Sequence, residues 1–130
     1  MRIIKSECEL DMLRRAFAIA EIAVQKVIEA IKPGMTELQV VGLAQQAIYE
    51  NGAEYEGMPQ YVLSGRKTTY AISRPTYKVI EKGELVQLNL SVRVGGYSSG
   101  VGRPVYMGKM PAEVKDLVSF GLEAHIKTME

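Results

Sequence analysis

The stretch that decides the fold is EKGELVQLNLSVRVGGYSSGVGRPVYMGK (residues 81–109), which alternates apolar and polar residues on either side of a glycine pair. Even positions from 86 to 94 are all apolar, whereas the odd positions between them are polar. A period of two predicts a strand with one buried face, and Gly95-Gly96 predicts a tight turn into a return strand. Pro104 in the return strand indicates a sheet edge or a bulge, because proline cannot donate to a strand ladder.

Three polar residues of this hairpin are expected to point inward, namely Asn89, Ser91 and Ser99. Polar residues at such positions of a sheet often present a site. None of the three is a carboxylate, a histidine or a cysteine. The hairpin therefore raises the question of whether it contains an active site.

Two helices are predicted before the strands. Residues 6–31 begin with Ser6 and Glu9 in the spacing of a capping box and continue with an apolar stripe at steps of three and four. Pro33 and Gly34 end this helix. Thr36 and Gln39 form a second capping box, and the helix that follows runs to the glycine signal at residues 51–52.

The segments QYVLSG (60–65) and TTYAIS (68–73) are further strand candidates, and a last helix is expected from about Pro111, with an apolar stripe that reaches the final residues. The order of two helices, about four strands and one helix predicts a single α+β domain over residues 1–130. We expect a curved antiparallel sheet with helices on one face only.

Composition narrows the function classes. The chain is 47% hydrophobic and 24% charged with a net charge of +1, so it has no electrostatic signal for nucleic acid or a membrane surface. The single cysteine, Cys8, cannot form an internal disulfide and favours a reducing compartment. Because the first residues lack the apolar core of a signal peptide, we expect a cytoplasmic protein.

By its motifs the chain resembles the pita-bread peptidases, which include aminopeptidase P, prolidase, creatinase and methionine aminopeptidase. The segments that carry the resemblance are IKSECELDMLRRAFAIAE (4–21), IKPGMTELQV (31–40), SGRKTTYAISRPT (64–76) and the hairpin quoted above. Their details are most similar to the proline-specific peptidases. The resemblance covers the first half of the catalytic domain, which in that family consists of two pseudo-symmetric halves and holds two divalent metal ions such as manganese, cobalt or zinc.

The resemblance also implies where the functional residues should be, and this chain departs from it at each of those positions. The first metal-binding aspartate of the family corresponds to Asn89, and the second corresponds to Gly100. The histidine that stabilises the oxyanion corresponds to Ile72. We therefore expect no intact catalytic residue, no metal site and no bound cofactor in this chain.

The remaining candidates are polar residues of a cleft. Arg74 in the substrate loop, Arg103 in the return strand and Asn89 are the residues most suited to contact a peptide or a small molecule, although surface or structural roles remain open for all three. Asn89 is expected to form a hydrogen bond within the hairpin. His125, the only histidine, lies near the apolar stripe of the last helix, and a structural role is expected for it.

Two functions follow as hypotheses. The first is a non-catalytic homologue of Xaa-Pro peptidases, used as a binding module. The second is a fragment of a longer, metal-independent creatinase-like amidohydrolase or Xaa-Pro aminopeptidase, whose other catalytic residues lie in the absent second half. For either one we expect a two-fold homodimer, because half of a pseudo-symmetric shell exposes a strand edge and an apolar surface.

Overall fold

The computed structural model describes residues 3–70 and 72–129. Two long helices open the chain, α1 (Glu7–Ala30) and α2 (Glu37–Glu50). Both predicted capping boxes are present, with Ser6 and Glu9 at α1 and with Thr36 and Gln39 at α2. The two helices therefore begin where the sequence predicts.

Five strands follow within the described residues: β1 (Tyr61–Ser64), β2 (Leu85–Leu90), β3 (Arg93–Val94), β4 (Tyr97–Ser98) and β5 (Val101–Tyr106). The main sheet has the antiparallel order β1-β2-β5, and β3 pairs with β4 in a separate hairpin. Gly95 and Gly96 form the turn of that hairpin with φ angles of 57° and 82°, which are accessible to glycine at low cost. Pro104 lies in β5, an edge strand of the described sheet, as predicted.

Helices cover one face of the main sheet. Val86, Leu88 and Leu90 of β2 are buried in one cluster with residues of α1 and α2, whereas Leu85, Gln87 and Asn89, which alternate with them, are half-buried on the other face. This arrangement confirms the predicted α+β class and the predicted burial pattern of β2.

The long predicted strand 85–94 is interrupted at Ser91. The side chain of Gln60 takes the place of a strand partner there, because its Oε1 accepts from the Ser91 amide at 2.9 Å and its Nε2 donates to the Ser91 carbonyl at 2.7 Å. The sequence contains no local sign of this pairing, which joins residues far apart in the chain.

The prediction of a strand at 68–73 is wrong. Residues Gly65–Thr69 form a short 3-10 helix, and the segment after it has no regular structure in the described residues (Ala71 lies outside them). Thr68 Oγ1 donates to the Gly65 carbonyl at 2.8 Å, and Thr69 Oγ1 donates to the Arg66 carbonyl at 2.9 Å. These local hydrogen bonds favour a turn over the strand that the β-branched threonines suggest.

The last helix, α3 (Ala112–Met129), forms as predicted, but none of its described residues is buried. Part of its apolar stripe, namely Leu117, Val118 and Leu122, lines a groove of about 1030 Å³ between α3, α1 and β5. In the described part of the chain no helix is long and apolar enough to cross a membrane.

Candidate functional site

The sheet face opposite the helices carries the hairpin position that the sequence singles out. Asn89 in β2 pairs with Tyr61 in β1 and with Gly102 in β5, so these three residues lie side by side across the sheet. Gln87 lies on the same face, one pair further along, between Leu63 and Pro104. We call the half-buried side chains of Tyr61, Gln87 and Asn89 the polar row.

The polar row has unused hydrogen-bonding capacity. None of its three side chains forms a hydrogen bond with another described residue, so Asn89 does not form the hydrogen bond within the hairpin that we expected. Gly102 keeps the space beside Asn89 open, since a Cβ atom at that glycine would lie 2.8 Å from Asn89 Oδ1. The row therefore presents two amides and a phenol to whatever occupies this face.

Ser91 and Ser99, the other polar residues of the hairpin, have structural roles. Both are buried. Ser91 Oγ donates to the Ser99 carbonyl, and Ser99 Oγ donates to the Ala16 carbonyl of α1 at 3.0 Å. Since their hydroxyl groups are used internally, these serines join the hairpin to α1 and are not available to a ligand.

The residues at this face do not fit a metal centre. Asn89 offers a neutral amide, and Gly100, directly before β5, offers no side chain. Divalent ions such as manganese and magnesium are held mainly by charged oxygen ligands, and zinc by thiolate, imidazole or carboxylate groups. Within residues 3–70 and 72–129 no three His, Cys, Asp or Glu side chains are grouped so that they could hold a metal ion.

A Cβ atom at position 100 would have no neighbour within 4 Å. The surrounding structure therefore has room for the first atom of a side chain there. The glycine is not needed for packing.

The other sequence candidates, Ile72, Arg74 and Arg103, are exposed. Ile72 is 79% exposed in the segment that follows the 3-10 helix, and the side chain of Arg74 is exposed in the same segment. Arg103 pairs with Leu88, so it lies on the helix side of the sheet, where it lines the groove beside α3. Its Nη1 donates to the neighbouring Gly102 carbonyl at 2.7 Å. The structure thus separates Asn89 from Arg103.

Sequence analysis missed the charged residues around Glu37. The Glu37 side chain is completely buried and forms an ion pair with Lys67 at 2.7 Å, while Lys78 pairs with Glu84 at 2.7 Å nearby. Burial by itself raises the pKa of Glu37, but hydrogen bonds from Lys67, Thr76 and Ser64 outweigh it and hold the pKa below its usual value. In the sequence Glu37 is indistinguishable from an exposed acid in the first turn of a helix.

The chain is similar to known proteins over its whole length. The chain is 32% identical over 130 residues to a Xaa-Pro dipeptidase of Pyrococcus horikoshii, and it is 28% identical over 130 residues to the Xaa-Pro dipeptidase of Pyrococcus furiosus. The alignments include all of this chain but only 37% of each relative, so the chain spans little more than a third of their length.

Solved structures show the same relationship. The prolidase of Pyrococcus horikoshii superposes with a TM-score of 0.93 at 32% identity, covering 98% of this chain and 37% of that chain. An X-Pro aminopeptidase of Thermotoga maritima superposes with a TM-score of 0.92 at 29% identity, covering 95% and 35%. The predicted correspondence to the N-terminal half of the pita-bread fold is confirmed. Residues 11–130 match the model of metallopeptidase family M24, and the chain belongs to that family.

Proposed function

We propose that this chain is a non-catalytic member of the family that binds a neutral, peptide-like ligand on the polar row without a metal ion. The observation that carries the proposal is the polar row itself, since three uncharged side chains on one sheet face have no hydrogen-bond partner among the described residues. Groups of this kind match the amide N–H and carbonyl groups of a peptide. The relatives named for Xaa-Pro dipeptidase activity suggest a proline-containing peptide as the first ligand to test.

The loss of chemistry is part of the same proposal. A metal-bound water is a potent nucleophile because the ion lowers its pKa by many units, and a hydrogen-bond donor at the developing oxyanion contributes further orders of magnitude in rate. Asn89 and Gly100 offer no charged metal ligand, and the Ile72 side chain, at the position of the family's histidine, offers no hydrogen-bond donor to an oxyanion. Arg74 is proposed as an additional ligand contact, because its exposed guanidinium could pair with the carboxylate of a short peptide.

The test is a titration of chelator-treated protein with an Xaa-Pro dipeptide, in which isothermal calorimetry measures the binding. We expect binding that does not need added metal, and no cleavage of the dipeptide by chromatography. Asn89→Ala should weaken binding by about tenfold, as expected for the loss of one or two hydrogen bonds. The matched control is Gln25→Ala, which removes an exposed amide from α1.

Three results would contradict the proposal: binding that requires manganese, cobalt or zinc, cleavage of the dipeptide by purified protein, or equal affinities of Asn89→Ala and the wild type. Cleavage of the dipeptide would identify the protein as an enzyme, whereas equal affinities would place the ligand site elsewhere on the molecule.

A second candidate function follows from the span of the chain, which covers 37% of the relatives it matches. In this alternative the chain is part of a longer, metal-independent amidohydrolase or Xaa-Pro aminopeptidase. The reading frame of the gene decides between the two, because the alternative needs a following half with histidine and glutamate residues. A complete product that cleaves the substrate in the presence of a chelator would support it.

We also propose that the protein forms a two-fold homodimer in the cytoplasm. The support for the dimer is the exposed apolar stripe of α3 together with its charge pattern, because α3 has Glu113 in its first turn and Lys127 in its last turn. Two α3 helices that cross antiparallel would place these opposite charges together. The support for the location is the single free cysteine, Cys8.

A further inference from the structure

The first residue of α2 is a buried carboxylate with an unusual number of partners. Glu37 Oε1 accepts from the Ser64 amide at 3.0 Å and from Ser64 Oγ at 2.9 Å. Glu37 Oε2 accepts from Lys67 Nζ at 2.7 Å, from the Thr76 amide at 2.8 Å and from Thr76 Oγ1 at 3.1 Å. These five hydrogen bonds compensate for the removal of the carboxylate from water.

The donors come from both ends of one loop. Ser64 is the last residue of β1 and Lys67 lies in the 3-10 helix, whereas Thr76 lies after the exposed segment that contains Ile72 and Arg74. The loop backbone is bonded to the same turn of α2, since the Leu38 amide donates to the Thr76 carbonyl at 3.3 Å, and just beyond the loop the Glu37 amide donates to the Lys78 carbonyl at 3.0 Å. One side chain thus closes the base of the loop 65–76.

A second ion pair reinforces the first end. Lys78 Nζ donates to both carboxylate oxygens of Glu84, at 2.8 and 2.7 Å, and also to Ser64 Oγ at 3.0 Å. Gly65, with a φ of 57°, lets Glu84 approach closely, because a Cβ atom at Gly65 would overlap the Glu84 carboxylate. The cluster consists of two ion pairs, Lys67 with Glu37 and Lys78 with Glu84. The Ser64 hydroxyl joins them, because it donates to Glu37 and accepts from Lys78.

The proximity of Ser64 and Lys78 does not make a nucleophile and its base. Ser64 has no exposed surface, and its hydroxyl donates to Glu37. Lys78 is bound to a carboxylate through its ammonium protons, so its nitrogen has no lone pair for a proton from serine. The cluster is built to hold the chain in place.

We infer that Glu37 is a positioning residue that clamps both ends of the loop 65–76 onto α2, so that the exposed segment carrying Ile72 and Arg74 keeps a defined position. A flexible loop would lose conformational entropy whenever it became ordered against a ligand, and closing its base in advance reduces that cost. The inference goes beyond the proposed ligand and holds whether or not that ligand binds.

Hydrogen–deuterium exchange of the full chain tests the clamp with Glu37→Gln. The amide that replaces the carboxylate cannot accept at both positions, so one end of the loop loses its acceptor. We expect exchange in residues 66–76 to accelerate by about tenfold, whereas exchange in residues 86–90 of β2 stays within about twofold of wild type. The matched control is Glu50→Gln, which removes the exposed ion pair with Lys26 at the other end of α2 and should leave the loop unchanged.

Lys67 provides an independent readout. Lys67→Arg keeps the charge and should retain slow exchange in the loop, whereas Lys67→Met should accelerate it even if Glu37→Gln fails to fold. If hydrogen exchange accelerated equally in the loop and in β2, the ion pair would be purely structural and the inference would be wrong. Unchanged exchange in the loop of both Glu37→Gln and Lys67→Met would also overturn it.

Discussion

Asn89 and Ser91 are both polar residues at odd positions of the same alternating stretch, but their surroundings give them different roles. Ser91 is buried and its backbone is bonded to Gln60, whereas Asn89 has an unpaired amide on the sheet face opposite the helices. A polar residue in an alternating strand is therefore structural or available for binding according to which distant residues approach it.

Gly57 is a position where one added methyl group should destabilise the fold. A Cβ atom there would lie 2.7 Å from Ser98 Cβ, and that atom cannot move aside without the backbone. We expect Gly57→Ala to lower the free energy of unfolding by about 1–3 kcal/mol. The control, Gly42→Ala in α2, has nothing within 4 Å of the new atom and should raise it by about 0.5–1 kcal/mol. Urea unfolding measures both, and equal stabilities of the two variants would contradict the packing argument.

Glu9 is a residue whose ionisation depends on one distant hydrogen bond. Tyr97 Oη donates to Glu9 Oε1 at 2.6 Å, and this bond, together with those from Ser6, lowers the pKa of Glu9 to about 2. Because the folded pKa lies below the unfolded one, the contribution to stability is complete above the ordinary glutamate pKa of 4.5 and is lost as the pH falls toward 2. Tyr97→Phe should raise the pKa of Glu9 toward its ordinary value, as measured by NMR titration of the carboxyl carbon. Tyr49→Phe is the control, and an unchanged pKa in Tyr97→Phe would show that the hydrogen bonds from Ser6 and the charge of Lys5 are responsible.

At the scale of elements, α2 depends on a local and a non-local feature at its first turn. The capping box of Thr36 and Gln39 satisfies backbone groups of the helix itself, whereas Glu37 bonds to residues that lie 27 to 39 positions away. The cap makes the helix start at this place, and Glu37 connects the helix to β1 and to the loop.

This connection predicts a pH dependence. The charged groups around Glu37 are Lys67, Lys78 and Glu84, and the net effect of its surroundings is to lower the pKa of Glu37. Its contribution to stability is therefore complete above the unfolded pKa and is lost as the pH falls below it. We expect the free energy of unfolding of the wild type to decrease more steeply between about pH 5 and pH 3 than that of Glu37→Gln. Parallel slopes in urea unfolding over this range would show that Glu37 does not contribute in this way.

At the scale of the whole molecule, the proposed dimer depends on the exposed apolar residues of α3. Leu117, Phe120, Leu122, Ile126 and Met129 are between 49% and 75% exposed on this one helix. Apolar surface of this extent favours association in water. Sedimentation velocity across a concentration series should therefore show a dimer of the wild type at tens of micromolar.

A charge on α3 should dissociate the dimer. Leu117→Glu adds a carboxylate to the apolar stripe, so we expect a dissociation constant at least about tenfold higher. Ser119→Glu adds the same charge outside the stripe and serves as the control. A monomeric wild type would contradict the proposed dimer, whereas equal dissociation in both variants would place the interface elsewhere.

The sequence by itself determined the elements that depend on neighbours in the chain. Two capping boxes, the Gly95-Gly96 turn and the alternation of β2 are local patterns, and all of them appear in the structure where they were predicted. The correspondence of Ile72, Asn89 and Gly100 to functional positions of the family also rests on motif spacing along the chain, and it stays a prediction.

Tertiary structure alone decided the features that join distant residues. The break at Ser91 requires Gln60, the clamp at Glu37 requires both ends of a loop, and the polar row requires the register of three strands. The 3-10 helix replaced a predicted strand because threonine hydroxyl groups bonded to nearby carbonyls more favourably than the segment could pair in a sheet. Local propensity depends on a residue and its immediate neighbours in the chain, whereas burial and hydrogen-bond partners depend on where the rest of the chain lies.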